Sequence, residues 1–458
     1  MRKLIFFILF IPVSYLTGDS LDLTLDDAIE IALEANETVL SAKEKVTEKR
    51  AGIGIARSNF LPTVDLQGTY TRLGKIQSFE MEIPQYAMLP LQVYDAQTGD
   101  TIGYTDSVPM VVGADTMALE MGKRDNYILR TTVKQTLFTG GKVLNGYKIA
   151  KLSYEIEEQN YKKTTNDIRF KVTEIFYKTL AVQEAVNLIK ESYSQMERHV
   201  GQVETLYKNG YVSKLDLLRV KVGLSNLRTQ MIRTENGCEL AKDGLKMLLS
   251  LDLEDEIILE EQLRYETYEI MLEEATETAL EQRPEIRGLN KTVEITNRAL
   301  SIEKAGFAPN VFAALNYDYK KPVGFSDNNW GTDWNVTVGF AMPIFTGFSR
   351  VRKIGERQAQ AKQVKYGLEQ LEEGIRLEVK SAYLNLKQEE EILKYQDENI
   401  KQAEEALAIA EERYKSGLVT NLEVMDTQLA LTKAKTNQLQ ALSNYLIAKA
   451  SLEKAIGR

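Results

Sequence analysis

Two stretches of 67 residues without a proline, 142–208 and 348–414, restrict the possible folds of this chain more than any other feature. A continuous helix of that length is about 100 Å long, far beyond the usual helix of a globular domain. In the first stretch, apolar or bulky side chains recur in alternating steps of three and four residues, as at a coiled-coil seam. The spacing therefore predicts a mainly helical chain whose long helices pack against one another. The seam residues are Val172, Ile175, Thr179, Val182, Val186, Ile189, Tyr193, Met196, Val200, Val203 and Tyr207.

Each long run is followed by a second helical pattern that must return in the opposite direction. The first return pattern has an apolar seam from Leu217 to Leu248, and the second has a more dilute seam from Val424 to Leu452. Both halves are therefore predicted to form long antiparallel coiled-coil hairpins. Such hairpins can form a simple rod, or they can pack side by side into a cylinder, an α-barrel, and the seams fit both arrangements.

The turn between the two helices of a hairpin occurs twice, as YKNGYVSKLD at 207–216 and as YKSGLVTNLE at 414–423. The glycine in each copy suits a helix C-terminus, where a left-handed backbone is easiest without a Cβ. A Ser or Thr followed three residues later by an acidic residue matches a capping box at the start of the next helix. Each copy is therefore predicted to be the tip of a helical hairpin.

The duplication extends over nearly the whole chain and predicts an internal two-fold repeat. Motifs that precede the predicted strands recur at an offset of 247 residues, and motifs that follow them recur at 207. Between these two sets of motifs, the first repeat, 19–250, therefore carries 40 residues more than the second repeat, 266–458. The extra residues lie within 73–126, which has no helical period and is predicted to be a loop between two strands.

Four segments alternate between apolar and polar residues with the period of a β-strand. Half-buried strands of a soluble sheet alternate in the same way. Lengths of about 9 to 11 residues, aromatic residues at the ends of the apolar faces and the predicted export of the chain instead favour strands that cross a bilayer. Four strands cannot close a barrel, and an open edge in lipid would leave backbone groups unpaired, so several copies would have to share one barrel. The predicted strands are 63–71, 127–137, 310–319 and 334–342.

Export is predicted by the first residues of the chain. Arg2 and Lys3 precede the apolar run 4–13, and small and polar residues follow, as in a secretory signal peptide that would end near residue 18. The run is too short to span a bilayer as a helix. A single cysteine, Cys238, excludes an intrachain disulfide framework.

Composition argues against nucleic-acid binding and against catalysis. The formal net charge is −9, whereas a nucleic-acid-binding face is basic. The only histidine, His199, lies in a helical run and is predicted to be a surface residue, and Cys238 falls on an apolar stripe and is predicted to be a packed thiol. The sequence contains no phosphate-binding glycine loop and no metal-ligand cluster, so we expect no enzyme activity, no cofactor and no metal.

With these features together, the chain resembles the TolC family of outer-membrane efflux channels. The most specific resemblance lies in the two tips, 207–216 and 414–423, followed by the strand-to-helix turn Pro343-Ile344-Phe345-Thr346-Gly347. The first copy of that turn has Thr136 in place of the proline, and the family's second glycine is Phe348 in the second copy.

The resemblance implies a homotrimer in the outer membrane, with four transmembrane strands per chain in one shared 12-stranded β-barrel and the helices in a periplasmic tunnel. It also implies a periplasmic adaptor protein that docks on the tips and links the channel to an inner-membrane pump. The docking positions would be Gly210, Tyr211, Val212, Ser213, Gly417, Leu418, Val419 and Thr420.

The resemblance further implies a gate at the periplasmic entrance. The family's acidic residues near the constriction align with Asp216, Glu423 and Asp426, and one of its polar links aligns with Asp216 and Tyr414. A second such link falls on Leu215 and Val419, which are apolar here.

The expected function is passive export, in which the chain is the exit duct of a tripartite efflux or type I secretion system. The alternative is an exported periplasmic coiled-coil scaffold whose strands form a soluble cap without a transmembrane barrel.

Overall fold

The computed structural model describes residues 21–324 and 327–458. The predicted signal peptide, 1–18, lies outside the described residues. The chain divides into two compact units. A helical unit contains residues 21–53, 148–299 and 355–458, and a strand unit contains residues 54–147 and 300–354.

The prediction of a mainly helical chain is confirmed. Both proline-free stretches are helical: the first is one helix with the predicted bounds, and the second forms a helix displaced by one residue, and each of these helices has 67 residues. No helix in the described ranges is both long and apolar enough to cross a membrane. The helices of the described chain are α1 (Leu25–Ala35), α2 (Glu37–Ser58), α3 (Lys142–Lys208), α4 (Lys214–Leu249), α5 (Leu272–Gln282), α6 (Pro284–Lys304), α7 (Ser349–Lys415) and α8 (Asn421–Ala455).

The strands fall into one four-stranded sheet and three two-stranded pairs. In the helical unit, two strands of three residues each pair in parallel, with Leu21 opposite Ile257 and Leu23 opposite Leu259. The strands of the described chain are β1 (Leu21–Leu23), β2 (Thr63–Arg72), β3 (Gln77–Leu89), β4 (Gln92–Tyr94), β5 (Thr101–Tyr104), β6 (Val108–Met121), β7 (Asp125–Phe138), β8 (Ile257–Leu259), β9 (Asn310–Lys321) and β10 (Gly331–Ala341).

Three apolar clusters hold the helical unit together. The first joins α1 to α3 and α4 around Phe176 and Leu245, and the second joins α5 and α6 to α7 and α8 around Val379 and Tyr445. The third lies near the first tip, where Val203 of α3 packs with its neighbours on α4. The buried faces carry the apolar residues at three- and four-residue spacing, so burial of this stripe stabilises the long helices.

The four-stranded sheet has the order β10-β9-β7-β2, and all its pairs are antiparallel. Its register places Val64, Val133, Leu315 and Val336 in one row across the sheet. This row belongs to an apolar face that is open to the surroundings, since Leu66 is 69% exposed and Phe340 is 76% exposed. The alternation of the sequence thus gives the sheet one continuous apolar face.

The opposite face of the sheet is polar and is cross-linked by hydrogen bonds. Arg130 donates two bonds to the Asp318 carboxylate, each 2.7 Å long. Asn316 accepts a bond from Thr132 at 2.9 Å and donates one to Asn335 at 3.0 Å. The sheet therefore has one exposed apolar face and one polar face whose side chains are hydrogen-bonded to one another.

Aromatic residues gather at one end of the sheet. The Tyr70 and Tyr127 rings lie 4.9 Å apart between centroids, and the Tyr319 and Trp330 rings lie 4.8 Å apart. The Tyr127 and Trp330 rings lie 5.8 Å apart and join the two pairs into one cluster. Tyr70, Tyr127 and Tyr319 are among the aromatic residues predicted at the ends of the apolar faces.

The segment 73–126, predicted only as a loop, contains strands. β3 pairs with β6 along 13 residue pairs with one irregularity after Gln85, and β4 pairs with β5 at the far end. The alternation of Phe79, Met81 and Ile83 with Glu80 and Glu82 is a strand signal that sequence analysis did not use. The connection is therefore an extended β-ribbon.

The turns from strand to helix share one backbone form in both halves. Gly140 and Gly347 have φ of 64° and 60°, and the residues that follow them, Gly141 and Phe348, have φ of 89° and 63°. Phe348 thus keeps the left-handed form without being glycine, which costs about 1–2 kcal/mol. The turn geometry is conserved within the chain even where its glycine is not.

Candidate functional site at the hairpin tips

Both tips end their first helix with the same set of main-chain bonds. In the first tip, Gly210 N–H donates to the Tyr207 carbonyl at 3.0 Å, and Tyr211 N–H donates to the Leu206 carbonyl at 2.9 Å. The second tip repeats both bonds, each 2.9 Å long, between residues that lie 207 positions later in the chain. The glycines have φ of 81° and 72°, as the Schellman motif requires.

The helices that leave the tips begin at capping residues. In the first tip, Asp216 N–H donates to Ser213 Oγ at 3.1 Å, and Ser213 N–H donates back to the Asp216 carboxylate at 3.2 Å. In the second tip the returning bond, from Thr420 N–H to Glu423, is 3.5 Å long. Both predicted capping boxes are present, and the second one is looser.

The eight predicted docking residues lie at the outer surface of the two turns. Tyr211 is 79% exposed and Leu418 is 73% exposed, so each turn presents a large apolar side chain to the surroundings. Val212 and Val419 are half-buried beneath them, and Val212 packs against the cluster around Val203. Each tip therefore offers a small apolar surface on a fixed turn.

The three predicted gate carboxylates differ in their surroundings. Asp216 is half-buried and bound to Ser213, and Glu423 is exposed and bound to Thr420. Asp426 is exposed, and no hydrogen bond or ion pair with another described residue occupies its carboxylate. Capping therefore explains the position of Asp216 and Glu423 but not the presence of Asp426.

The predicted polar link between Tyr414 and Asp216 is not formed within this chain. The Tyr414 hydroxyl is buried and has no hydrogen-bond partner among the residues described. Burial raises the pKa of Tyr414, and the negative charge of Asp216 raises it further. The hydroxyl is therefore held in its neutral form at neutral pH.

His199 takes part in the tip, although sequence analysis predicted a surface residue. It is half-buried, its Nε2 lies 2.5 Å from Asn421 Oδ1, and its ring meets the Tyr414 ring edge-on at 5.6 Å. A cavity of about 390 Å³ is lined by His199 and Tyr414. Its partners are 222 and 215 residues away in sequence, so no local pattern could identify the contact.

The remaining candidates for chemistry have structural surroundings. Cys238 is buried, and burial raises the pKa of its thiol, as predicted for a packed cysteine. Within residues 21–324 and 327–458, no three His, Cys, Asp or Glu side chains are grouped to hold a metal ion.

Long helical hairpins joined to an amphipathic sheet place the chain in a fold class of bacterial outer-membrane channels. The outer membrane protein VceC of Vibrio cholerae has this fold, with a TM-score of 0.72 at 15% identity over 94% of this chain and 96% of that one. The open state of the MtrE outer membrane channel of Neisseria gonorrhoeae is similar, with a TM-score of 0.72 at 17% identity over 94% and 88%.

The chain belongs to the outer membrane efflux protein family, whose family model matches residues 28–249 and 275–458. A relative of known sequence, the probable efflux pump outer membrane protein TtgC of Pseudomonas putida, is 20% identical over 445 residues, which are 95% of this chain and 83% of that protein. Family membership identifies the chain as an outer-membrane transport component and confirms the resemblance drawn from the tips.

Proposed function

We propose that three copies of this chain form the outer-membrane exit duct of a tripartite efflux or type I secretion system, and that the duct itself performs no chemistry. The observation that carries the proposal is the sheet, with an exposed apolar face, a hydrogen-bonded polar face and two unpaired edge strands, β2 and β10. Such edges are stable in lipid only when another copy pairs with them.

The strand order makes closure of a ring possible. β2 runs antiparallel to β7, β7 to β9, and β9 to β10, so β10 is antiparallel to β2. A head-to-tail pair between β10 of one copy and β2 of the next therefore continues the same antiparallel pattern. Three copies give twelve strands, an even number as in bacterial single-chain barrels, with no edge left open.

Native mass measurement of the detergent-purified protein tests this assembly. We expect a mass of three chains without the signal peptide, and a stable complex on dilution. A folded monomer in detergent would overturn the shared barrel. Carbonate extraction of the membrane fraction tests the alternative scaffold, because a scaffold would be released by carbonate, whereas a barrel would require detergent.

The ribbon between β2 and β7 gives the orientation of the duct. It connects two neighbouring strands at the end opposite the strand-to-helix turns, so we place it outside the cell and the tips in the periplasm. Protease added to intact cells should cut within 73–126 first. Initial cleavage at Gly210 or Gly417 would reverse the orientation.

The tips are the proposed docking site for the periplasmic adaptor, through which an inner-membrane pump drives export. Tyr211 on the first turn and Leu418 on the second are exposed, and they supply apolar contacts to a partner hairpin. A photo-crosslinker at either position should capture the adaptor in cells. The matched control is the same crosslinker at Tyr86, which lies on the ribbon and is 65% exposed. It should not capture the adaptor.

A further inference from the structure

A line of side-chain hydrogen bonds joins α3, in the first hairpin, to α8, in the second. The two helices pair in antiparallel register, because the residue number rises along one as it falls along the other. The bonds are Ser443 Oγ to the Tyr177 carbonyl at 3.1 Å, Ser192 Oγ to Thr432 Oγ1 at 3.1 Å, Gln428 Nε2 to Gln195 Oε1 at 2.9 Å, and His199 Nε2 to Asn421 Oδ1 at 2.5 Å.

The last bond of the line differs from the others by its position. Asn421 is the first residue of α8, directly after the capping Thr420, and only 3% of the residue is exposed. Its Nδ2 donates to Met425 Sδ at 3.5 Å, so Oδ1 is the atom that accepts from His199. His199 therefore contacts α8 where that helix begins.

The contact also fixes the residue that precedes the turn. The His199 ring meets the Tyr414 ring edge-on, and Tyr414 lies in the last turn of α7. One side chain of the first hairpin thus touches both helices of the second tip, on either side of its turn. Glu423 and Asp426 follow Asn421 by two and five residues, within the first turns of the same helix.

The other half of the chain lacks this contact. At the offset of 207 residues, Ala406 corresponds to His199 and Lys214 corresponds to Asn421. An alanine has no donor, and a lysine ammonium has no acceptor. The bond therefore belongs to the second tip alone and is not a general feature of hairpin packing.

We propose that His199 is a positioning residue of the periplasmic entrance, which holds the second tip against the first hairpin and sets the resting place of Glu423 and Asp426. This inference rests on the proposed function, since a resting place matters only in a conducting duct. Loss of the donor leaves the buried Asn421 oxygen unpaired and frees the start of α8 from α3.

Single-channel recording of the purified assembly in a planar bilayer tests the proposal. His199→Leu should raise the ratio of open to closed time about fivefold to tenfold for each tip that moves on opening, since each copy loses one hydrogen bond of about 1 kcal/mol or slightly more. His199→Gln retains an N–H donor and should stay within about twofold of the native ratio. The matched control, Ser192→Ala, removes the bond to Thr432 higher on the same helix pair and should leave the ratio unchanged.

Two results would overturn the proposal. One is a native ratio in His199→Leu, and the other is an equal rise in Ser192→Ala, which would indicate general loosening between α3 and α8. Because the chain has one histidine, its imidazole ¹⁵N signal reports the bond without any channel activity. Asn421→Leu should shift the Nε2 signal of the labelled assembly. An unchanged signal would exclude the bond itself. A shifted signal in an assembly that never conducts would instead count against the proposed function.

Discussion

The two halves of the chain have the same tip backbone but different tip side chains. Both turns close with the same two main-chain bonds and a left-handed glycine, and both lead into capped helices. The charges differ: Asp426 of the second tip corresponds to Arg219 of the first. Main-chain geometry therefore fixes the shape of a tip, and the side chains are free to give each tip its own role.

The largest expected difference between the tips is electrostatic. In a trimer, Glu423 and Asp426 would form two rings of three carboxylates, whereas Asp216 has Arg219 one turn away. Such rings attract cations and repel anions. The double variant Glu423→Gln with Asp426→Asn should lower cation over anion permeability on the order of tenfold.

Reversal potentials across a planar bilayer measure this selectivity, and Asp216→Asn is the matched variant in the first tip. We expect Asp216→Asn to retain most of the native selectivity. Unchanged selectivity in the double variant would mean that Glu423 serves only to start α8.

The tip glycines should show no difference between the halves. A Cβ added at Gly210 or Gly417 meets no atom within 4 Å, so the cost of Gly→Ala arises from the left-handed backbone alone. Each change should cost about 1–2 kcal/mol per chain, and the two changes should lower the thermal midpoint of the assembly equally. A much larger effect at one of the two would show that assembly crowds that tip.

The capping residues should differ modestly. Ser213→Ala removes a 3.1 Å bond and should cost about 1 kcal/mol. Thr420→Ala should cost about half as much, because the bond from the Thr420 hydroxyl to the Glu423 carboxylate is 3.3 Å long, whereas the matching bond from Ser213 to Asp216 is 2.6 Å long. Thermal midpoints of the two variants, measured side by side, test this prediction. A larger decrease for Thr420→Ala than for Ser213→Ala would contradict the looser second cap.

The smallest expected effect concerns Tyr414. Its buried hydroxyl has no partner in the described chain, so Tyr414→Phe should change stability by no more than about 0.5 kcal/mol and should keep the ring contact with His199. Tyr207→Phe at the equivalent position of the first tip is the control. A marked rise in conductance for Tyr414→Phe alone would reveal that the assembled channel forms the link to Asp216.

Sequence alone was sufficient wherever local chemistry decides the structure. The proline-free seams, the tip glycines and the capping residues act over three to five positions, so their pattern predicts helix ends directly. The four amphipathic strands could be predicted equally well, since alternating apolar and polar residues identify the two faces of a strand.

Contacts between distant segments could not be predicted in the same way. The bond from His199 to Asn421 depends on the register of α3 against α8, and nothing near either residue signals it. The ribbon was missed for another reason. Its alternation begins at Phe79 and is interrupted after Gln85 by the irregularity against β6, so the strand pattern is shorter than the strands themselves.

The equal length of α3 and α7, 67 residues each, limits which insertions and deletions the gene can tolerate. One added residue turns everything beyond it by about 100° and would point a tip away from its neighbours. Seven added residues restore the facing seam but displace the tip by about 10 Å. Length changes should therefore occur in whole heptads, in both halves together, and be matched in α4 and α8.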